Sequence, residues 1–204
     1  MRLVFIALLL GAPAARAADK VGIQVEFGIG PVWALTEKCR YYGCPSAVGV
    51  SLRAGYALSD VASIGLRASA ALGPEGIGTP CGAGSSCERF GGYRAASLLI
   101  DGRVHTDGIV QLVGGAGIGV GRLIRLQCNC TEEYDTHGSG LAVLDFAVGL
   151  RIPFYPGVYG SIEGNYSAMF NAESAGSTGL GTPLPQTGLI VSSIGVAFKL
   201  GASL

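Results

Sequence analysis

The sequence predicts an all-β chain, an eight-stranded antiparallel up-and-down transmembrane β-barrel with short periplasmic turns and long extracellular loops. Three observations predict it. Between Ala47 and Leu58 the residues alternate without a slip: Val48, Val50, Leu52, Ala54, Tyr56 and Leu58 against Gly49, Ser51, Arg53, Gly55 and Ala57. Strand side chains point to opposite faces with period two, so one face is apolar and the other small and polar. The same pattern returns about eight times after residue 20, and the charges in the middle of the strands keep to the small face. A soluble barrel would place its apolar face inside; this inversion suits a crowded lumen surrounded by lipid. Finally, the chain carries 34 Gly, only 14% charged residues and a mean hydropathy of +0.46, yet no later stretch reaches the ~18 uninterrupted apolar residues of a membrane helix. Residues 109–121 come nearest and are broken by Gly114, Gly115, Gly117, Gly119 and Gly121.

Residues 1–17 read as a secretory signal. Arg2 is the positive end, Leu3 to Leu10 the short apolar run, and Ala15-Arg16-Ala17 the cleavage site, leaving residues 18–204 as one barrel domain. The first strand, 21–35, turns Val21, Ile23, Val25, Phe27 and Ile29 to lipid and Gln24 and Glu26 inward. Strands 47–58 and 61–73 place Arg53 and Arg67 inside, the latter behind Ile64, Leu66, Ala68 and Ala70. Strand 93–105 places Asp101 and Arg103 behind Leu98, Ile100 and Val104. Strand 109–126 carries glycine at every second position, which reads as close packing in a narrow interior. Strand 141–154 hides Asp145 and Arg151, strand 158–171 hides Glu163 and Asn165, and strand 189–202 hides Lys199.

Ser59-Asp60, Thr106-Asp107-Gly108 and Tyr155-Pro156-Gly157 have the composition of tight turns. The other connections, 36–46, 74–92, 127–140 and 172–188, are long and rich in Gly, Ser, Thr and Pro. Trp33, Tyr93 and Phe170 fall at the loop ends of their strands and Tyr56, Phe154 and Phe198 at the turn ends, as the two aromatic girdles of a membrane barrel would.

The lumen then holds Glu26, Asp101, Asp145 and Glu163 against Arg53, Arg67, Arg103, Arg151 and Lys199. An eight-stranded interior is just wide enough for side chains to fill, and unpaired buried charges are costly, so a plugging network is expected. A polar permeation path would use the same residue types. The cysteines fall two by two in or beside the long connections: Cys39 with Cys44, Cys81 with Cys87, Cys128 with Cys130. In an exported chain disulfides are the default. Pairing within each loop is the simplest arrangement, with cross-loop pairing open for Cys128 and Cys130, whose strand positions point apart. A metal site from Cys128, Cys130, Glu132, Glu133, Asp135 and His137 matches no structural zinc spacing, so no metal and no cofactor is expected.

Ser97, Asp101 and His105 share a face, but each is about 13 Å along a strand from the next, too far for a nucleophilic relay. Zero net charge argues against nucleic acid. Lys38, Arg40, Arg89, Arg94, Arg122 and Arg125 gather at the loop rim. They are either a solvated, snorkelling edge or contacts to lipopolysaccharide phosphates, with Arg94, Arg122 and Arg125 the candidates.

In the last strand Ser193, Gly195, Phe198 and Leu200 resemble the terminal signal read by the outer-membrane assembly machinery. With it the chain resembles the small eight-stranded outer-membrane barrels, the OmpA-like transmembrane domain and its OmpX-like and OmpW-like relatives. The resemblance implies a monomer in the outer membrane of a Gram-negative bacterium, surrounded by outer-membrane lipid and lipopolysaccharide and inserted by the barrel-assembly machinery. It implies a non-enzymatic structural or surface-interaction role. A narrow OmpW-like channel for small solutes is the alternative, and an enzyme acting on outer-membrane lipid the third possibility.

Overall fold

The structure is a computed structural model. It describes the backbone of residues 22–35, 46–73, 93–128, 134–177 and 183–203, and the side chains of all of these but 125–128, 134–137, 173–177 and 183–189. Eight strands follow one another: β1 (Ile23–Leu35), β2 (Ser46–Ala57), β3 (Ala62–Leu72), β4 (Tyr93–His105), β5 (Gln111–Cys128), β6 (Tyr134–Tyr155), β7 (Val158–Ser177) and β8 (Pro183–Ser203). Each pairs antiparallel with its sequence neighbour, and β1 pairs with β8 to close the barrel. At that seam Phe27 lies opposite Leu200 and Trp33 opposite Ile194. Closure leaves no sheet edge, so the backbone groups of every wall strand meet partners on both sides.

Alternation sets inside and outside. Along β1, Ile23, Val25, Phe27 and Ile29 are exposed outward, while Gln24 and Glu26 are buried in the lumen. Three tight connections mark one end of the barrel, the turn end. Pro156 and Gly157 join β6 to β7, with Gly157 at φ +80°, a position after proline that a type II turn reserves for glycine. Leu58 N–H and Ser59 N–H both donate to Ala62 O in the β2–β3 connection. In the third, Thr106 N–H donates to Leu112 O and Leu112 N–H to Thr106 Oγ1. That reciprocal clasp closes the hairpin before Ile109 and Val110. Both were expected to begin the fifth strand, and both instead lie exposed in the turn, Ile109 at 72%.

At the opposite, loop end, the later strands run further than their hydrophobic pattern. Strands β5 to β8 extend into the stretches 127–140 and 172–188 that the composition assigns to loops: Gln127 pairs with Asp135, His137 with Glu173, and Ser174 with Gln186. These segments carry few large apolar residues and no regular alternation, yet a backbone ladder needs no apolar face. The ladder breaks on the way, between His137 and Ala142 on β6 and between Met169 and Ala172 on β7. Asn171 there adopts φ +66° and Gly140 φ +69°.

One aromatic departs from the expected girdle. Tyr93 is at lumen parity and 2% exposed, because position 93 shares its side of β4 with Ala95, Leu99 and Asp101. Tyr56, Phe154 and Phe198 face outward.

Candidate functional site

The lumen is built in layers. Nearest the turn end, Glu26, Arg53, Arg67, Asp101, Arg103, Asp145, Arg151, Glu163 and Lys199 are all buried. Arg53 Nε donates to Asp101 Oδ1 at 2.7 Å and its Nη2 to Ser63 Oγ at 3.0 Å, while Nη1 lies 3.5 Å from Glu26 Oε1. Arg103 donates to Asp101 Oδ2 (3.2 Å), Glu26 Oε2 (2.5 Å) and Glu163 Oε1 (3.2 Å). Arg67 bonds Asp145 and lies 3.8 Å from Asp101 Oδ2. Lys199 and Ser161 both donate to Glu163. Tyr159 donates its hydroxyl to Glu26 Oε1 at 2.7 Å, and the Arg151 guanidinium sits 3.3 Å over the centre of its ring, a cation–π contact. These contacts join all nine charges into one network, Arg151 through Tyr159.

Several of the bonds cross the barrel. β4 and β1, β4 and β7, and β3 and β6 are not neighbours in the wall, so Arg103–Glu26, Arg103–Glu163 and Arg67–Asp145 are struts through the interior. Wall glycines make the room. A Cβ on Gly55 would lie 2.7 Å from Arg53 Nη1, one on Gly65 3.1 Å from Arg53 Cζ, and one on Gly117 3.4 Å from Arg67 Nη2. Guanidinia are planar and can lie flat against such bare backbone.

Above this layer is a cavity of about 80 Å³ whose lining includes Ser69, Ser97, Asn165, Ser167, Met169 and Tyr93. Ser69 and Ser97 share a hydrogen bond of 2.7 Å across β3 and β4. Toward the loop end the interior becomes apolar: Tyr93, Leu99, Leu123, Leu141, Val143, Met169 and Val191 form a buried cluster. The sequence reading, drawn to charges, missed this layer. Its signal was present, since Leu141 and Val143 share parity with Asp145, and Leu99 with Asp101.

The trio Ser97, Asp101 and His105 is dispersed: Ser97 bonds Ser69, Asp101 serves arginines, and His105 Nδ1 lies 3.3 Å from Thr106 O at the turn end. Of the terminal-strand residues, Ser193 and Gly195 face inward while Phe198 and Leu200 face outward. Arg94 and Arg122 lie on the outward face near the loop end of β4 and β5, and Arg125 is opposite Arg94 in the ladder. Cys39, Cys44, Cys81, Cys87 and Cys130 lie outside the described residues, as do the side chain of Cys128, the acidic residues near it, and residues 1–17.

No protein-family model matches the chain, and no curated protein does. Solved structures do. The barrel is similar to Neisserial surface protein A, with a TM-score of 0.61 at 12% identity over 90% of this chain and 97% of that one. It is also similar to the outer membrane protein OprG from Pseudomonas aeruginosa, at 0.54 and 11% over 92% and 99%. The fold is that of a small eight-stranded outer-membrane β-barrel, the architecture shared by the OmpA-, OmpX- and OmpW-like proteins.

Proposed function

We propose that the protein is a non-enzymatic structural or surface-interaction protein of the Gram-negative outer membrane, a closed monomeric barrel that holds its loop end outside the cell. Insertion by the barrel-assembly machinery would use Ser193, Gly195, Phe198 and Leu200. The carrying observation is the charged layer. Nine buried ionic groups joined across the lumen occupy the cross-section a permeating ion would need, and opening it would strand several charges without partners. Purified barrel reconstituted into planar lipid bilayers is expected to give no steady conductance. Discrete channels from the unmodified protein would sink this reading.

A second reading, a route for small solutes, draws on the loop-end half. There a cavity and an apolar cluster lie toward the ladder breaks of β6 and β7, so an apolar solute could pass between lumen and lipid meeting only Asp145 of the nine charges. Uptake of a small hydrocarbon into vesicles carrying a barrel that conducts no ions would favour it.

A further inference from the structure

Among the described residues, the outward face of the barrel wall carries two charged side chains, and both are arginines: Arg94 on β4 and Arg122 on β5. They are not scattered. The ladder places Ala96 opposite Arg122 and, past a bulge between Arg94 and Ala95, Arg94 opposite Arg125; Arg94 is therefore two residues along β4 from the partner of Arg122, the diagonal relation that a regular ladder sets at ~7–8 Å. Reading outward rows across β3, β4 and β5, the wall runs Leu66, Ile100, Ile118, then Ala68, Leu98, Val120, then Ala70, Ala96, Arg122, and finally Leu72 and Arg94. Two alanines therefore leave a shallow notch, floored by aliphatic side chains and flanked by two guanidinium groups.

The height of the notch matters. Arg94 stands eleven residues up β4 from His105, and at about 3.4 Å per residue with a tilt of about 40° this raises it about 29 Å above the turn end. A barrel's apolar band is about 25 Å tall, so Arg94 and Arg122 sit where hydrocarbon gives way to headgroups. Arg94 is held there by the bond from its Nε to Gly73 O at 3.1 Å.

We propose that the outward face of β4 and β5 binds the phosphate of an outer-leaflet lipid headgroup, with Arg94 and Arg122 as its ligands and an acyl chain lying over Leu98, Val120, Ile100 and Ile118. Planar guanidinia bind phosphate oxygens bidentately, and the aliphatic rows below accept the chain that a free phosphate lacks. The site rests on an outer-membrane location and is independent of whether the lumen conducts.

The test uses the whole folded barrel in zwitterionic micelles, titrated with bis-phosphorylated lipid A and, separately, with inorganic phosphate. Bound lipid is counted by native mass spectrometry and folding is checked by heat-dependent gel mobility. One lipid A is expected to remain bound, with affinity falling about tenfold or more for Arg122→Gln and further for Arg94→Gln with Arg122→Gln, as losing a charge-assisted contact predicts. Val148→Thr, on the outward face of β6 and away from this surface, should leave lipid A binding unchanged. Undiminished binding by a folded Arg122→Gln protein would overturn the site. Displacement of lipid A by inorganic phosphate at comparable concentration would overturn the lipid assignment. Should the double variant not fold, Arg122→Gln against Arg122→Lys decides, because lysine cannot chelate two oxygens.

Discussion

Arg53 on β2 and Asp101 on β4 are joined at 2.7 Å although β3 lies between their strands in the wall. The bond therefore runs through the lumen and not along the sheet. Asp101 also faces Arg103 at 3.2 Å and Arg67 at 3.8 Å, so a single carboxylate is shared by three guanidinia from three different strands.

Removing that carboxylate should be among the most damaging single changes in the barrel. Asp101→Ala is expected to cost roughly 3–5 kcal/mol, the usual penalty for leaving buried charge uncompensated. The midpoint of urea unfolding in lipid vesicles, compared with wild type, reads it directly.

Arg67 and Asp145 offer a cleaner separation of pairing from packing, since Asp145 has one close arginine partner among the ion pairs described. Arg67→Met and Asp145→Leu should each destabilise, whereas the double substitution should recover most of the loss, because an apolar pair of similar volume is often neutral in place of a buried ion pair. A double-mutant cycle on unfolding free energy measures the coupling, expected at about 1–3 kcal/mol.

The glycines divide into those the wall requires and those it tolerates. A Cβ on Gly30 would fall 1.8 Å from Val196 O, and one on Gly119 2.0 Å from Leu98 O. Gly30→Ala and Gly119→Ala are each expected to cost about 1–3 kcal/mol through forced backbone shifts. Gly102 has nothing within 4 Å of such an atom, so Gly102→Ala should be neutral or stabilise by about 0.5–1 kcal/mol. Thermal unfolding of the three variants in one detergent ranks them.

Leu99, 1% exposed, belongs to the apolar layer next to the cavity. Leu99→Ala is expected to cost about 2–5 kcal/mol and to leave the barrel non-conducting, because the charged layer below it stays intact. Bilayer recordings on this variant, set beside its unfolding midpoint, show which layer seals the lumen.

Much of this architecture was legible from alternation. The strand number, their order and the location of the tight turns follow from period two and from residues such as Pro156 and Gly157. Three features were not legible, each for a physical reason. The extensions of β6, β7 and β8 carry no sustained alternation of apolar and polar residues, so only backbone pairing such as Ser174 with Gln186 defines them. Tyr93 reads as a girdle residue by its position at a strand end, and only its parity sends it inward. The pairing of particular charges across the lumen, Arg103 with Glu163 for example, depends on side-chain reach and on which strands face one another once the barrel closes.

The glycines beneath the arginines have a historical consequence. Because Arg53 lies against Gly55 and Gly65, neither partner is free to change first: enlarging a glycine displaces a guanidinium, and shortening the arginine leaves a void where backbone was kept bare. Such positions should drift together among descendants of this sequence, substituting as a set or not at all. The abundance of glycine in this chain is then in part an imprint of the volume its buried arginines occupy, inherited as one trait.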